Sequence, residues 1–301
     1  MPRTRLVLLA LLAIAAVAHA QPASPPVEIH HIHGLAIDAQ DPTVLLVATH
    51  TGLVRLGVRA GAWVGEQRFD LMGFTPRPDD RTQVFASGHP DPETYRREGV
   101  GHLGLILSQD GGRTWRSVAL RGEADFHALA WSPRAGGQLY GWNTSGRTGL
   151  YRIAAGTWRV ERPAARGLRD VHALAASPDA AGPLLAGTGS GLMASRDGGE
   201  TWAPAAGLPA GPVTAVAFHS ADARVVYAYV HSPAGGLRRS RDGGVRWEPV
   251  AAGVRDPVVA LAVGPGEHVA FATSAGDVSS SRDAARSWRK RLDRGRPPGA
   301  G

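Results

Sequence analysis

Residues 195–202 read SRDGGETW, and the octet returns as SQDGGRTW from Ser108, SRDGGVRW from Ser240 and, with its glycines replaced, SRDAARSW from Ser281. Ser and Asp side chains bond nearby backbone groups in tight turns, Gly supplies backbone angles that other residues resist, and Trp buries a large ring. The octet therefore reads as a folding staple and not as a working site. Successive copies lie 87, 45 and 41 residues apart, so the first gap should hide a copy near residue 152. YRIAAGTW from Tyr151 fills that place without its Ser and Asp, and GLVRLGVRAGAW, ending at Trp63, is a sixth and weaker copy.

The closing tryptophans, Trp63, Trp115, Trp158, Trp202, Trp247 and Trp288, are spaced by 52, 43, 44, 45 and 41 residues. Such a period belongs to four-stranded propeller blades. Each period repeats one order, shown by DVHALAASP, then GPLLAGTGSGLMAS, then the octet, and its alternation with turn signals means strand. An all-β chain of six such units protects its sheet edges by radial repetition, which predicts a six-bladed β-propeller as one domain over residues 21–288. The blades are expected at roughly 31–68, 69–120, 121–165, 166–208, 209–252 and 253–293.

The N-terminus, MPRTRLVLLALLAIAAVAHA, places Arg3 and Arg5 before a short apolar run that ends in small residues, as a signal peptide cut after Ala20 does. The run is too short to span a bilayer, and no other stretch of the mature chain could. Export to the periplasm or beyond is the expectation. The chain has no Cys, so an apolar core must hold it, and 43% hydrophobic residues permit one. Its net charge of +7 is scattered, which argues against a nucleic-acid partner outside the cytoplasm. Only RKRLDRGRPPGAG, residues 289–301, concentrates basic residues, and it reads as a disordered tail.

The octets resemble the Asp-box, or BNR repeat, of sialidases, sortilin-type receptors and photosystem II assembly-factor propellers. The opening HIHGLAID, with DLMGFTPRP, ASGHP and DFHALAWSP behind it, is similar to a bacterial exported family labelled sialidase-like glycosylhydrolase. That resemblance implies a propeller with Asp-box repeats over nearly the whole mature chain. It implies little about activity, because function sits on sites grafted to folds.

Aligning the repeats on their first strands puts His33, Met72, His127, His172, Thr214 and Val259 at equivalent positions, with His31, Asp70, Asp125, Asp170, Pro212 and Pro257 two residues earlier. A spacing of two puts both side chains on one side of a strand, so these pairs should converge on half of the channel mouth. The turn after the second strand holds His50, His89, His102 and His231, and in blade two it swells to GHPDPETYRREGVGH, residues 88–102. Long loops on rigid frames carry function, so His50, His89, Tyr95, Arg96 and His102 are ligand-binding candidates. A lone His at a strand start is often just a hydrogen-bonded polar residue, and Met is often core. Their confinement to the leading four blades is what repeat geometry alone does not ask for.

Three readings compete. The first is a propeller that binds a metal or small ligand through His31, His33, Met72, His127 and His172, since His with carboxylate suits zinc and His with Met suits copper. The second is a glycoside hydrolase using Asp70, Asp125 and Asp170, with Glu93 and Glu98 in the long loop, because hydrolysis of a glycan needs two carboxyl groups. The third is a protein-binding scaffold for an envelope protein. A true sialidase is disfavoured: the Arg-Ile-Pro signature of that family is missing, and of the five Tyr residues only Tyr95, beside Arg96 and Arg97, lies outside the strand patterns.

Overall fold

The computed structural model describes residues 27–29, 31–58 and 60–299, so the leader at residues 1–20 lies outside the described residues. Six four-stranded antiparallel sheets follow one another, each with its strands in sequence order from the inner to the outer edge. The inner strands are Ile32–Ile37, Asp70–Arg77, Phe126–Ser132, Val171–Ala176, Val213–Phe218 and Val258–Gly264, and each packs against the inner strands of its neighbours. The chain is thus an all-β, six-bladed propeller. No helix among the described residues is long and apolar enough to cross a membrane.

The core is split into six layers, one between each pair of neighbouring blades. Between blades one and two, for example, Ala48, Leu53, Leu71, Ala86 and Ile106 close together, all almost wholly buried. Alternation along each strand feeds one layer on either face, so every blade depends on both neighbours.

Each full octet forms the same turn between the third and fourth strands. Ser108 Oγ donates to Asp110 Oδ1 at 2.7 Å and accepts from the Gly112 amide at 2.7 Å. Asp110 also accepts from the Arg113 and Thr114 amides and from the Thr114 hydroxyl. Ser195 with Asp197, Ser240 with Asp242 and Ser281 with Asp283 repeat these contacts. Two left-handed residues are required in the turn, Gly111 and Gly112 with φ of 74° and 92°. The worn copy fills those positions with Ala284 and Ala285, at φ of 59° and 65°. A Cβ in that region is strained by about 1–2 kcal/mol. Ala284→Gly is therefore expected to raise stability by about 1 kcal/mol, read as a higher urea midpoint; an unchanged or lower midpoint would contradict the strain.

The box aspartates also set an acid limit. Burial pulls Asp110 upward, but the Thr114 hydroxyl and amide, the Ser108 hydroxyl and the Arg113 amide outweigh it and hold the carboxyl at about 2. Bonds from Thr201 and Ser287 hold Asp197 and Asp283 lower still. A carboxyl depressed on folding stabilises the fold above its unfolded pKa of about 3.9 and loses that contribution as pH falls through the folded value. The urea midpoint should therefore drop as pH is taken from about 5 to about 2, and Asp110→Asn should flatten that drop.

The C-terminal segment corrects the expectation of a disordered tail. Arg289–Leu292 is the outer strand of blade six, and Leu292, 1% exposed, lies in the layer between blades six and one. A basic run looked solvated because Arg and Lys dominate it, yet Arg291 is buried. Its guanidinium donates to Ser280 Oγ and to the backbone carbonyls of Thr43, Leu56 and Gly57 in blade one, at 3.2, 3.0, 3.2 and 2.7 Å. No described strand of the N-terminal segment joins the last sheet. The ring closes instead by layer packing, by these Arg291 bonds, by the Ile29 amide on the Gly295 carbonyl and by Arg296 on Glu28.

Candidate functional site

At the end of the ring where inner strands begin, the first two strands of each blade carry an irregularity in their pairing. In blades one, three, four, five and six the register skips one residue of the inner strand: His33, His127, His172, Thr214 and Val259. In blade two it skips Met72 and Gly73. A bulge bends its strand and re-aims the extra side chain. The aligned positions are therefore the bulge positions.

Blade two supplies the rest of the site. Its second strand, Asp80–His89, ends on His89, and a seven-residue helix, Pro92–Glu98, intervenes before His102. That helix was legible only as a swollen loop, although its Asp91 cap and Pro92 at the first turn are helix-start signals. Tyr95 stands on it 53% exposed, with Arg96 exposed beside it. The insertion explains the long 52-residue step in the Trp ladder.

Two groups of three donors result: His33, His50 and Asp70, and His89, His102 and Asp125, with the ligand atoms of each group within 4.8 Å of one another. Asp70 Oδ2 lies 2.9 Å from His50 Nδ1 and 3.3 Å from His89 Nδ1, while its Oδ1 lies 3.5 Å from His33 Nε2. Asp125 Oδ2 lies 3.5 Å from His89 Nε2 and pairs with His127 Nε2 at 2.8 Å. His89 therefore stands between the two carboxylates. His31, exposed, meets the His50 ring edge-on at 4.8 Å between centroids, and His33 meets it at 4.6 Å.

Burial sets the electrostatics. It pushes the His33 imidazole down to about 4, against the pull of Asp70 and with the help of His50, His31 and His127, so the ring is neutral at ordinary pH. Burial raises Asp125, but the His127 hydrogen bond and the nearby His127, His89 and His102 rings prevail and hold it below the usual carboxylate range. The Asp125 bond in turn raises His127 above its ordinary value, burial opposing. Four buried polar atoms have no hydrogen-bond partner here: His33 Nε2, Asp70 Oδ1, His102 Nδ1 and Asp125 Oδ1.

Of the sequence candidates, His33, His50, Asp70, His89, His102, Asp125 and His127 come together. His172 and Asp170 do not: they lie 3.9 Å from each other, with Asp170 exposed at φ 51°, and touch none of the other donors. Met72 sits half-buried in the blade-two bulge. Sequence reasoning passed over Ser145, whose Oγ is 3.1 Å from His102 Nε2. It follows the second strand of blade three, Gln138–Asn143, the same blade position as His50, which was the available signal.

A roomy cavity lies elsewhere. About 1140 Å³ in volume, it opens at the Asp-box end, where the inner strands finish, and reaches Asp38, Arg77, Pro133, Pro178, His219 and Pro265. Its ring walls are mostly Leu, Ala and Val, and Arg77 there is paired with Asp79 at 2.7 Å. It offers space, whereas convergent donors gather at the opposite mouth, and donors decide chemistry.

Residues 155–295 match the family described as photosynthesis system II assembly factor YCF48. No curated protein sequence matches the chain. Among solved structures, the GH74 xyloglucanase from Xanthomonas campestris is 18% identical with a TM-score of 0.52, over 89% of this chain and 55% of that one. The extracellular domain of the one-component system BT4673 from B. thetaiotaomicron is 12% identical with a TM-score of 0.56, over 88% of this chain and 34% of that one. YCF48 bound to D1 peptide is 15% identical with a TM-score of 0.45, over 73% and 65%. The chain thus spans about half the length of the xyloglucanase and a third of the extracellular domain. Its four octet turns and six sequential blades make the chain a six-bladed β-propeller with BNR, or Asp-box, repeats.

Proposed function

We propose that this propeller is an exported protein that binds a divalent transition-metal ion at the mouth of its channel, through His33, His50 and Asp70. The observation that carries the reading is the facing pair of orphaned atoms, His33 Nε2 and Asp70 Oδ1, 3.5 Å apart, buried and without hydrogen bonds. Buried polar groups are otherwise almost always paired, so an unpaired imidazole nitrogen and carboxylate oxygen that face each other, each able to offer a lone pair, support a place for an ion. Two ligand atoms about 2.0–2.1 Å from a tetrahedral ion stand about 3.3 Å apart, close to that separation. Two imidazoles and a carboxylate with an open position are a donor set that zinc accepts. His33, neutral through burial, can offer its lone pair without first losing a proton.

Glycan hydrolysis fits less well. It requires one carboxyl group kept protonated as an acid, and Asp125 is held below its ordinary value by the imidazoles around it. A role as an envelope scaffold is compatible with a metal-bearing mouth, but no observation at this site favours it.

Calorimetric titration of Zn²⁺ into the chelator-stripped chain tests the reading. Saturable uptake is expected, weakened at least roughly a hundredfold by His33→Ala. Absence of uptake, or equal affinity in the two proteins, would refute it.

A further inference from the structure

The geometry points to a second metal ion beside the first, held by His89, His102 and Asp125, so that the channel mouth is a two-ion centre. The inference rests on the single-ion reading above and extends it. The second group repeats two features of the first. Its three ligand atoms fall within the same 4.8 Å limit, and it contains the other two orphaned atoms, His102 Nδ1 and Asp125 Oδ1, both buried.

Each member is already aimed. Ser145 Oγ meets His102 Nε2 at 3.1 Å, which leaves Nδ1 as the free nitrogen. His127 takes Asp125 Oδ2 at 2.8 Å, which leaves Oδ1 as the free oxygen. Outer hydrogen bonds of this kind fix the orientation and tautomer of metal ligands. Asp125 Oδ2 is taken by the 2.8 Å His127 hydrogen bond, whereas His89 Nε2 stands 3.5 Å from that oxygen, too long to share it, and belongs with His102 and Asp125 to one group of ligand atoms.

His89 joins the two halves. Its Nδ1 faces Asp70 at 3.3 Å and its Nε2 faces Asp125 at 3.5 Å. A neutral imidazole donates from one nitrogen only, so with the ring neutral one of these contacts sets a lone pair against a carboxylate oxygen. An ion held by Nε2 and Asp125 removes that mismatch and leaves Nδ1–H to donate to Asp70. The ring then ties the second ion to the carboxylate of the first. Asp70, His89 and Asp125 all come from blade two, the blade that carries the helical insertion, or from its boundary with blade three.

The test is stoichiometry. The chelator-stripped full chain is titrated with Zn²⁺ in a calorimeter, and bound zinc is counted by elemental analysis after dialysis. About two equivalents are expected for the unmodified chain. His102→Ala and the conservative Asp125→Asn should each bind one, with the remaining ion's affinity changed by less than about tenfold. Circular dichroism of each variant verifies that the fold is kept. One equivalent in the unmodified chain, or two retained in both variants, overturns the second site and leaves the first standing. No uptake by any of the three proteins overturns both.

Discussion

Ending the chain after Trp288 is expected to abolish a stable fold, and Arg291→Met alone should cost about 3–5 kcal/mol, among the larger effects of a single substitution. The truncation removes the outer strand of blade six, and with it Leu292, which pairs with Val278 and fills the layer against blade one. Loss of a buried leucine side chain alone costs about 2–5 kcal/mol, and marginal stability leaves little beyond that. Arg291→Met keeps much of the stem and deletes four hydrogen bonds, three of them to blade-one carbonyls. Hydrogen bonds from a charged donor contribute about 1.5–3 kcal/mol each, and burying the guanidinium offsets part of the sum. Burial also lowers the Arg291 pKa, with Arg282 and Arg289 adding to it and Asp41 opposing, and its hydrogen bonds go to Ser280 Oγ and backbone carbonyls. Urea denaturation followed by circular dichroism measures both variants. An unfolding free energy within about 0.5 kcal/mol of the parent for Arg291→Met would show that layer packing closes the ring without it.

Asp70→Ala should weaken zinc binding by roughly a hundredfold or more, the largest effect expected of any single substitution at the mouth. Asp70 touches His33, His50 and His89, so its loss removes a ligand and frees the imidazoles it orients. The fold should survive, because the side chain meets only other mouth residues and its strand is held by backbone pairing with His89 and Gly88. Asp170→Ala is the matched control. It lies at the same strand position in blade four, but it faces only His172, at 3.9 Å, and the affinity of this variant should stay within about twofold of the parent. Equal losses in the two variants would mean that strand position, and not the Asp70 constellation, governs binding.

Much was legible from the chain alone, because repetition is a local property written many times. The octet gave the turn, since Ser108 and Asp110 satisfy its amides without help from distant residues. The Trp spacing gave the number of blades, because one blade is one supersecondary unit. The strand alignment gave the positions of His33, His127 and Asp125, because a two-residue spacing on a strand start fixes the end of the ring they occupy.

What needed the tertiary structure was everything decided between blades. Arg291 reads as a solvated charge until the ring brings three carbonyls of blade one to it, across more than two hundred residues. Asp125-x-His127 and Asp170-x-His172 are alike in sequence, yet Asp125 is 7% exposed beneath His89 and Asp170 is 69% exposed. The difference lies in the neighbour: blade two offers His89 and His102 beside Asp125, and blade three offers no such imidazole to Asp170. Local sequence determined which residues reach the mouth of this propeller. Which of them meet was set by the packing of blades one, two and three, because a donor group forms only where side chains from separate sheets converge.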